Sequence, residues 1–269
     1  MKISNRIILL TGATGGIGAA IARRLAAEGG HLVLSGRDPA KLGQLATELG
    51  GTTQVVAADI TTAGGRQELA EACARIGVDT VVHNAGTQDF NLFAEQDCPA
   101  VEAMLQLNLA APMLLTRLLL PALQQRPRGT IVFVGSTFGS IGHPGFAAYC
   151  ATKFGLRGFA ESLRRELADS AIVVHYLAPR ATRTELNSTA VVAMNLTIGN
   201  AMDDPALVAA KLVALLGRCR GSNSYIGWPE KLFVPLNSLL PRLVDNALAR
   251  KLATIRAFAH QPQATERST

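Results

Sequence analysis

The segment YCATK places Tyr149 and Lys153 four residues apart in a chain with few aromatics. On a helix that spacing puts both side chains on one face. A free tyrosine titrates near pH 10, too high to exchange protons readily at neutrality. A fixed ammonium beside the phenol favours the phenolate, and a pKa closer to the working pH serves general acid–base chemistry. Taken alone, the pair is also what an ordinary helix surface carries, and by spacing alone that is the better reading.

A second constellation lies near the N-terminus. LLTGATGGIGAAIARRL sets Gly12, Gly16 and Gly18 at G-x-x-x-G-x-G spacing, with Thr14 and Ile17 between them. Glycine there permits a tight turn and a close backbone approach to phosphate, and the following helix N-terminus offers free N–H groups and a positive dipole end. The strand-like run before it and the helical pattern after it give the motif its context. The same letters also fit G-x-x-G-x-x-G through Gly15. At the end of the next apolar run stands SGRD. An acidic side chain there would suit the ribose hydroxyl of NAD, and an arginine the extra phosphate of NADP. Ser35 and Arg37 hold this region, so NADP(H) is expected over NAD(H); the alternative for Arg37 is a solvated loop cation.

These residues need elements to hold them. Short apolar runs occur at 6–10, 31–35, 53–58, 79–83, 130–135 and 171–177, with a weaker one at 224–227. The first six are nearly continuous in apolar residues, as strands buried on both faces are. Helical patterns separate them. One, DPAKLGQLATELGG, has Asp38 as N-cap, Pro39 at the first helical position and Gly50 as the stop. Repeated strand–helix alternation predicts an α/β fold with a doubly wound, Rossmann-type parallel sheet. The expected division is residues 1–227 as one dinucleotide-binding and catalytic domain and 228–269 as an amphipathic basic extension ending in a frayed QPQATERST.

Of the 269 residues, 48% are apolar, which supports a sizeable core. Cysteines at 73, 98, 150 and 219 have neither C-x-x-C nor zinc-ligand spacing, so reduced thiols, a cytoplasmic setting and no metal site are expected. The N-terminal run IILL is too short for a signal peptide or a span, and the run 109–123 reads as a buried helix. The net charge of +6 comes without a basic run interleaved with aromatics, so no nucleic-acid partner is expected.

Further motifs occur in order. ADI (58–60) ends the third run and HNAG (83–86) the fourth. Asn108 lies within AMLQLNLAAP, and Ser136 ends the fifth run in IVFVGSTFGS. Together with the glycine motif and Tyr-x-x-x-Lys, this resembles the short-chain dehydrogenase/reductase family in its compact single-domain form, over about residues 5–200. The resemblance implies Tyr149 as general acid or base and Lys153 as the holder of the nicotinamide ribose that lowers the tyrosine pKa. It implies Ser136 as the hydrogen-bonding partner of the substrate oxygen and Asn108 as the anchor of a proton-relaying water. Asp59 and Ile60 would lie against the adenine, Asn84 and Gly86 would line the cofactor cleft, and Thr182 and Thr184 match a cofactor-contacting threonine region. The implied activity is hydride transfer between a nicotinamide and a carbonyl or secondary alcohol. Family members are commonly homodimers or homotetramers, built on helices around 100–125 and 146–168.

Two departures stand out. The family usually has Pro-Gly after the sixth strand, and here Pro179 is followed by Arg180. That arginine is expected either to meet an anionic substrate group or to face solvent. Second, the usual short tail is replaced by SYIGWPEKLFVPLNSLLPRLVDNALARKL. Leu232, Leu236, Leu239, Leu240 and Leu243 form one stripe, Pro235 and Pro241 should kink or divide it, and from Trp228 onward the net charge is +3. Such a segment fits peripheral membrane contact, or a helix covering the cleft or a sister subunit. The small apolar stretch 185–204 suggests a hydrophobic substrate, acyl- or steroid-like. The rival readings are an NAD-dependent alcohol dehydrogenase running oxidatively and a cofactor-binding sensor or scaffold without turnover.

Overall fold

The computed structural model describes residues 3–228 and 230–259; the expected frayed end at 261–269 lies outside them. Seven parallel strands form one sheet in the order β3-β2-β1-β4-β5-β6-β7. They are β1 (Ile7–Thr11), β2 (His31–Gly36), β3 (Gln54–Ala57), β4 (Thr80–His83), β5 (Gly129–Val134), β6 (Ile172–Ala178) and β7 (Asn223–Tyr225). The doubly wound sheet expected from the sequence is therefore present.

Alternation along the strands feeds two cores. Ile8 and Leu10 of β1 point to one face, where they meet Ile21 and Leu25 of α1 (Gly16–Ala27), Leu42 of α2 (Pro39–Leu49) and a helix labelled below as α8. Leu9 points to the other face, against Leu69 and Cys73 of α3 (Ala63–Ile76) and a layer of two further helices. Asp38 caps α2 as expected, its Oδ1 accepting from the N–H groups of Ala40 and Lys41, both at 3.0 Å. Strand β3 departs from expectation. It is the sheet edge, paired with β2 alone among the described residues, and its Val55 is 37% exposed.

The second layer runs from α4 (Cys98–Leu105) through a π turn (Gln106–Ala110) into α5 (Ala111–Gln124), and continues as α6 (Ala147–Glu166). Cys98–Gln124 is long and apolar enough to cross a membrane by composition. In this fold Leu115, Leu119 and Leu123 are buried in the core, whereas Leu105, Met113 and Leu114 stay exposed. After β6 come α7 (Thr189–Thr197) and α8 (Pro205–Leu216), the latter packed on α1.

The C-terminal segment folds as α9 (Glu230–Leu239), α10 (Pro241–Ala249) and α11 (Leu252–Ala259). Pro235 sits inside α9, and Pro241 starts α10 at the break after Leu240. The leucine stripe is split by that break. Leu236 and Leu243 both line a cavity, but of the five only Leu236 is even partly buried: Leu243, like Leu232, Leu239 and Leu240, is more than half exposed. Helix α11 buries Ile255 and Ala259 in a cluster with Phe90, Met104, Phe146, Tyr149, Val191 and Met194.

Candidate active site

Strand order reverses direction between β1 and β4, so the loops after these strands part and leave a crevice at their C-terminal ends. A cavity of about 390 Å³ fills it. Its walls include Gly12, Thr14, Gly16, Ile17, Gly18, Arg37, Asp59, Ile60, Asn84, Gly86 and Thr184, all named from the sequence. Thr182 instead lines the neighbouring pocket, its hydroxyl donating to the Arg180 carbonyl at 2.9 Å.

The glycines are required by close approach. Gly12 has φ +62°, and a Cβ there would lie 2.7 Å from Ala85 Cα. A Cβ on Gly16 would reach 2.7 Å from Thr184 Cγ2, and one on Gly18 would collide with the Gly12 carbonyl. Thr11 fixes the other wall: its Oγ1 accepts from the N–H groups of Asn84 (3.1 Å) and Ala85 (3.2 Å). Asn84 Nδ2 returns to Thr11 O and Gly12 O at 3.2 and 3.0 Å. The N-terminus of α1 faces this space with its positive dipole end. Buried Ser35 also borders it, and its hydroxyl lacks a hydrogen-bond partner among the described residues. A glycine cradle at a helix N-terminus, beside an orphaned hydroxyl, fits a dinucleotide phosphate. Asp59 is held below the usual carboxylate range, chiefly by hydrogen bonds from the Thr61 hydroxyl and N–H, with help from the charges of Arg37 and Arg66.

The second cavity, about 80 Å³, adjoins the first through Ile17, Thr184 and Leu186 and is faced by Ser136 and Tyr149. Ser136 leaves the end of β5 and caps a short 3-10 turn, its Oγ accepting from Phe138 N–H at 3.1 Å. Tyr176 of β6 locks it from below: Ser136 N–H donates to the Tyr176 hydroxyl (3.2 Å), which donates to Ser136 O (3.1 Å). Glycine at 135 and 139 is what leaves room for that hydroxyl.

Tyr149 and Lys153 share α6 as expected, and both are buried. Lys153 Nζ stands 5.5 Å from the Tyr149 ring centroid and 3.5 Å from Val134 O. Asn108, in the π turn, accepts from Thr87 N–H at 2.8 Å and donates to Thr87 O at 2.8 Å and to Thr152 Oγ1 at 3.2 Å. A π turn interrupts the regular ladder and recurs at functional sites. Gly86 lies against both Asn108 and Lys153. Asn108 and Lys153 thus stand behind Tyr149 and border neither cavity.

The electrostatics differ from the expectation that lysine lowers the tyrosine pKa. Burial raises Tyr149, and the nearby Ser136 hydroxyl opposes that rise. Burial lowers Lys153 to about 8. Both groups are driven toward neutrality because each loses water without gaining a close counter-charge. Burial also pushes the Cys150 thiol up to about 11, which disfavours the thiolate.

Arg180 is largely withdrawn from solvent and meets an anion of the chain itself. Its guanidinium takes Asp203 bidentately at 3.0 and 2.7 Å and also donates to Trp228 O at 3.3 Å. Asp203 was not foreseen, because it lies 23 residues away across two loops. Tyr176 was missed too, although a tyrosine inside a buried strand signals a polar tip that needs a partner. A third cavity, about 360 Å³, shares Thr137, Phe138, Arg180, Ala181 and Asn195 with the catalytic pocket and is walled by α9 and α10.

Residues 6–194 match the sequence profile of the short chain dehydrogenase family. Nodulation protein G of Rhizobium meliloti (strain 1021) is 40% identical over 181 residues, which cover 66% of this chain and 74% of that protein. A short-chain dehydrogenase from Streptomyces avermitilis superposes with a TM-score of 0.78 at 28% identity, over 91% of this chain and 98% of that one. Pseudomonas aeruginosa RhlG, solved as an NADP active-site complex, gives 0.76 at 25% identity, over 84% and 96%. With the sheet, the glycine loop and the Ser136–Tyr149 pocket in place, this chain belongs to the short-chain dehydrogenase family, oxidoreductases that act on CH–OH groups with NAD(P).

Proposed function

We propose that the enzyme interconverts a carbonyl and a secondary alcohol on a hydrophobic, acyl- or steroid-like substrate, with NADP(H) preferred. The observation that carries this is the series of three joined cavities: glycine cradle, Ser136–Tyr149 pocket and apolar chamber. The nicotinamide, when bound, supplies or accepts the hydride. Tyr149 donates its phenolic proton to the carbonyl oxygen in reduction and takes it back in oxidation. Ser136 donates a hydrogen bond where negative charge develops on that oxygen. Lys153, at full charge once the cofactor ribose and phosphates are near, stabilises the phenolate left on Tyr149. Asn108 holds the Thr87 peptide and, in this reading, a water through which Lys153 exchanges protons.

NADP(H) preference is supported by Arg37 in the cradle wall. The neighbouring acid, Asp38, is engaged in capping α2 through its Oδ1, which also favours this reading. The four free cysteines suit a cytoplasmic setting. Exposed Leu105, Met113, Leu114 and Phe154 on α4–α6 suit a homodimer or homotetramer. Exposed Trp228, Leu232, Leu239 and Leu240, near exposed Lys231 and Arg242, suit contact with an anionic membrane surface. Oxidation of NADPH and NADH is to be followed with a panel of acyl, steroid and small ketones. Turnover with NADPH supports the reading; absence of turnover with either cofactor favours a non-catalytic sensor, and NADH-only turnover the NAD-dependent rival. Sedimentation with anionic liposomes at low salt tests the membrane contact, which fails if folded enzyme stays in the supernatant.

A further inference from the structure

Beyond the catalytic pocket, the large chamber is walled mainly by Phe138, Ile141, Ile198, Leu236, Val244 and Leu248. Two cations border it, Arg180 and Lys251. They differ in what they have left to give. Arg180 is neutralised by the bidentate pair with Asp203. Lys251 Nζ donates to the carbonyl of Ile198 at 3.0 Å, and among the described residues no acidic side chain pairs with it. One carbonyl satisfies one of the three ammonium donors. The positive charge is felt across the chamber at His143, whose protonation burial and Lys251 both disfavour. His143 stacks on Phe138 at 4.9 Å, and Phe138 meets the edge of Tyr149 at 6.4 Å. A chain of ring contacts thus runs from Tyr149 through Phe138 to His143, and His143 lines the same chamber as Lys251.

An unpaired cation in an apolar wall is where an anion gains most, because the low surrounding polarity strengthens the attraction. We propose that Lys251 anchors the terminal carboxylate of a hydrophobic substrate whose reactive carbon sits at Ser136 and Tyr149. Such a substrate is an oxo or hydroxy carboxylic acid with an aliphatic body between its two polar ends. The C-terminal segment thereby becomes a specificity element, supplying both the apolar wall and the charge that reads the far end. Which end reacts rests on the oxidoreductase reading above; the anchoring itself does not need turnover.

The test is calorimetric binding of octanoate and its neutral isostere octanamide to the full chain. Charge-assisted hydrogen bonds exceed neutral ones, and the acid should bind about tenfold more tightly than the amide. Lys251→Gln, which keeps a donor for Ile198 O, should remove that preference and leave octanamide binding unchanged; Lys251→Arg should retain it. Thermal melts confirm that each variant is folded. Equal affinities in the unmodified enzyme, no octanoate binding at millimolar concentration, or a preference that survives Lys251→Gln would each overturn the proposal. Turnover of 7-oxooctanoate and its methyl ester is measured separately. If neither reacts with NADPH or NADH, the ketone-reduction reading is weakened while the binding result stands.

Discussion

The two ends of the cleft are built differently. The nucleotide end is assembled from short local pieces: a strand, a turn of glycines and a helix start, closed by Thr11 bonding to Asn84 and Ala85 on the adjacent strand. Its geometry follows from missing side chains, since a Cβ on Gly12 or Gly18 would occupy the cradle. The substrate end is assembled from distant pieces. Tyr176 fixes Ser136, Asp203 holds Arg180, and α11 brings Ile255 and Ala259 into the cluster around Tyr149. A cradle made by absence is tolerant of what surrounds it, whereas a pocket made by contacts depends on every element that reaches it. The same chain therefore carries a cofactor end legible from a motif and a substrate end whose Ser136 and Tyr149 are legible but whose supports and walls only folding specifies.

The comparison can be broken hardest at Tyr149. Tyr149→Phe keeps the ring in its cluster and removes the proton, so turnover should fall about 10²- to 10⁴-fold with cofactor affinity unchanged; stopped assays and cofactor titration read the two separately. Ile255→Ala empties a fully buried site at the substrate end and should cost about 2–5 kcal/mol of stability. KM for the ketone should rise while nucleotide binding stays. Equal losses at both ends would mean the two are not separable.

Lys153 sharpens the contrast through pH. Its folded pKa is about 8, below that of an unfolded lysine near 10.4. Below pH 8 both states bind the proton and the cost of burying the charge is present in full. As pH rises from about 8 toward 10, only the unfolded chain keeps the proton, so stability rises, by at most about 3 kcal/mol. Above about pH 10 the buried hydroxyls of Tyr149 and Tyr176, both raised, reverse the trend. Urea midpoints across this range should rise in the unmodified, cofactor-free enzyme and stay flatter in Lys153→Met.

Two smaller effects follow. Asp203→Asn leaves the Arg180 guanidinium without its charge partner and should cost about 2 kcal/mol, the scale of a hydrogen bond to a charged group, read as a lower melting temperature and a raised ketone KM. Arg37→Asp should weaken NADPH about tenfold relative to NADH, the order of one lost charge-assisted contact. Equal dissociation constants for the two cofactors in the unmodified enzyme would remove this role from Arg37.

The sequence by itself determined the strand–helix alternation, the sheet class, the capping of α2 by Asp38 and the cofactor loop, because each is written within one or two turns of chain. Tyr149 and Lys153 were legible for the same reason: both ride one helix, at a spacing that the helix pitch makes a contact. Only the tertiary structure decided that β3 is a half-exposed edge, because strand order along a sheet is not a local property. Only it decided that Arg180 is spent on Asp203 and that burial, not the neighbouring lysine, dominates Tyr149 in the cofactor-free chain. The leucine stripe of the tail was visible as a period, yet the break at Leu240–Pro241 divides it: Leu236 is drawn partly inward at the cavity, Leu243 edges the same cavity while more than half exposed, and Leu239 and Leu240 stay in solvent. Periodicity reports which residues share a face; what that face meets depends on chain brought back from far away, and burial and charge pairing are settled there.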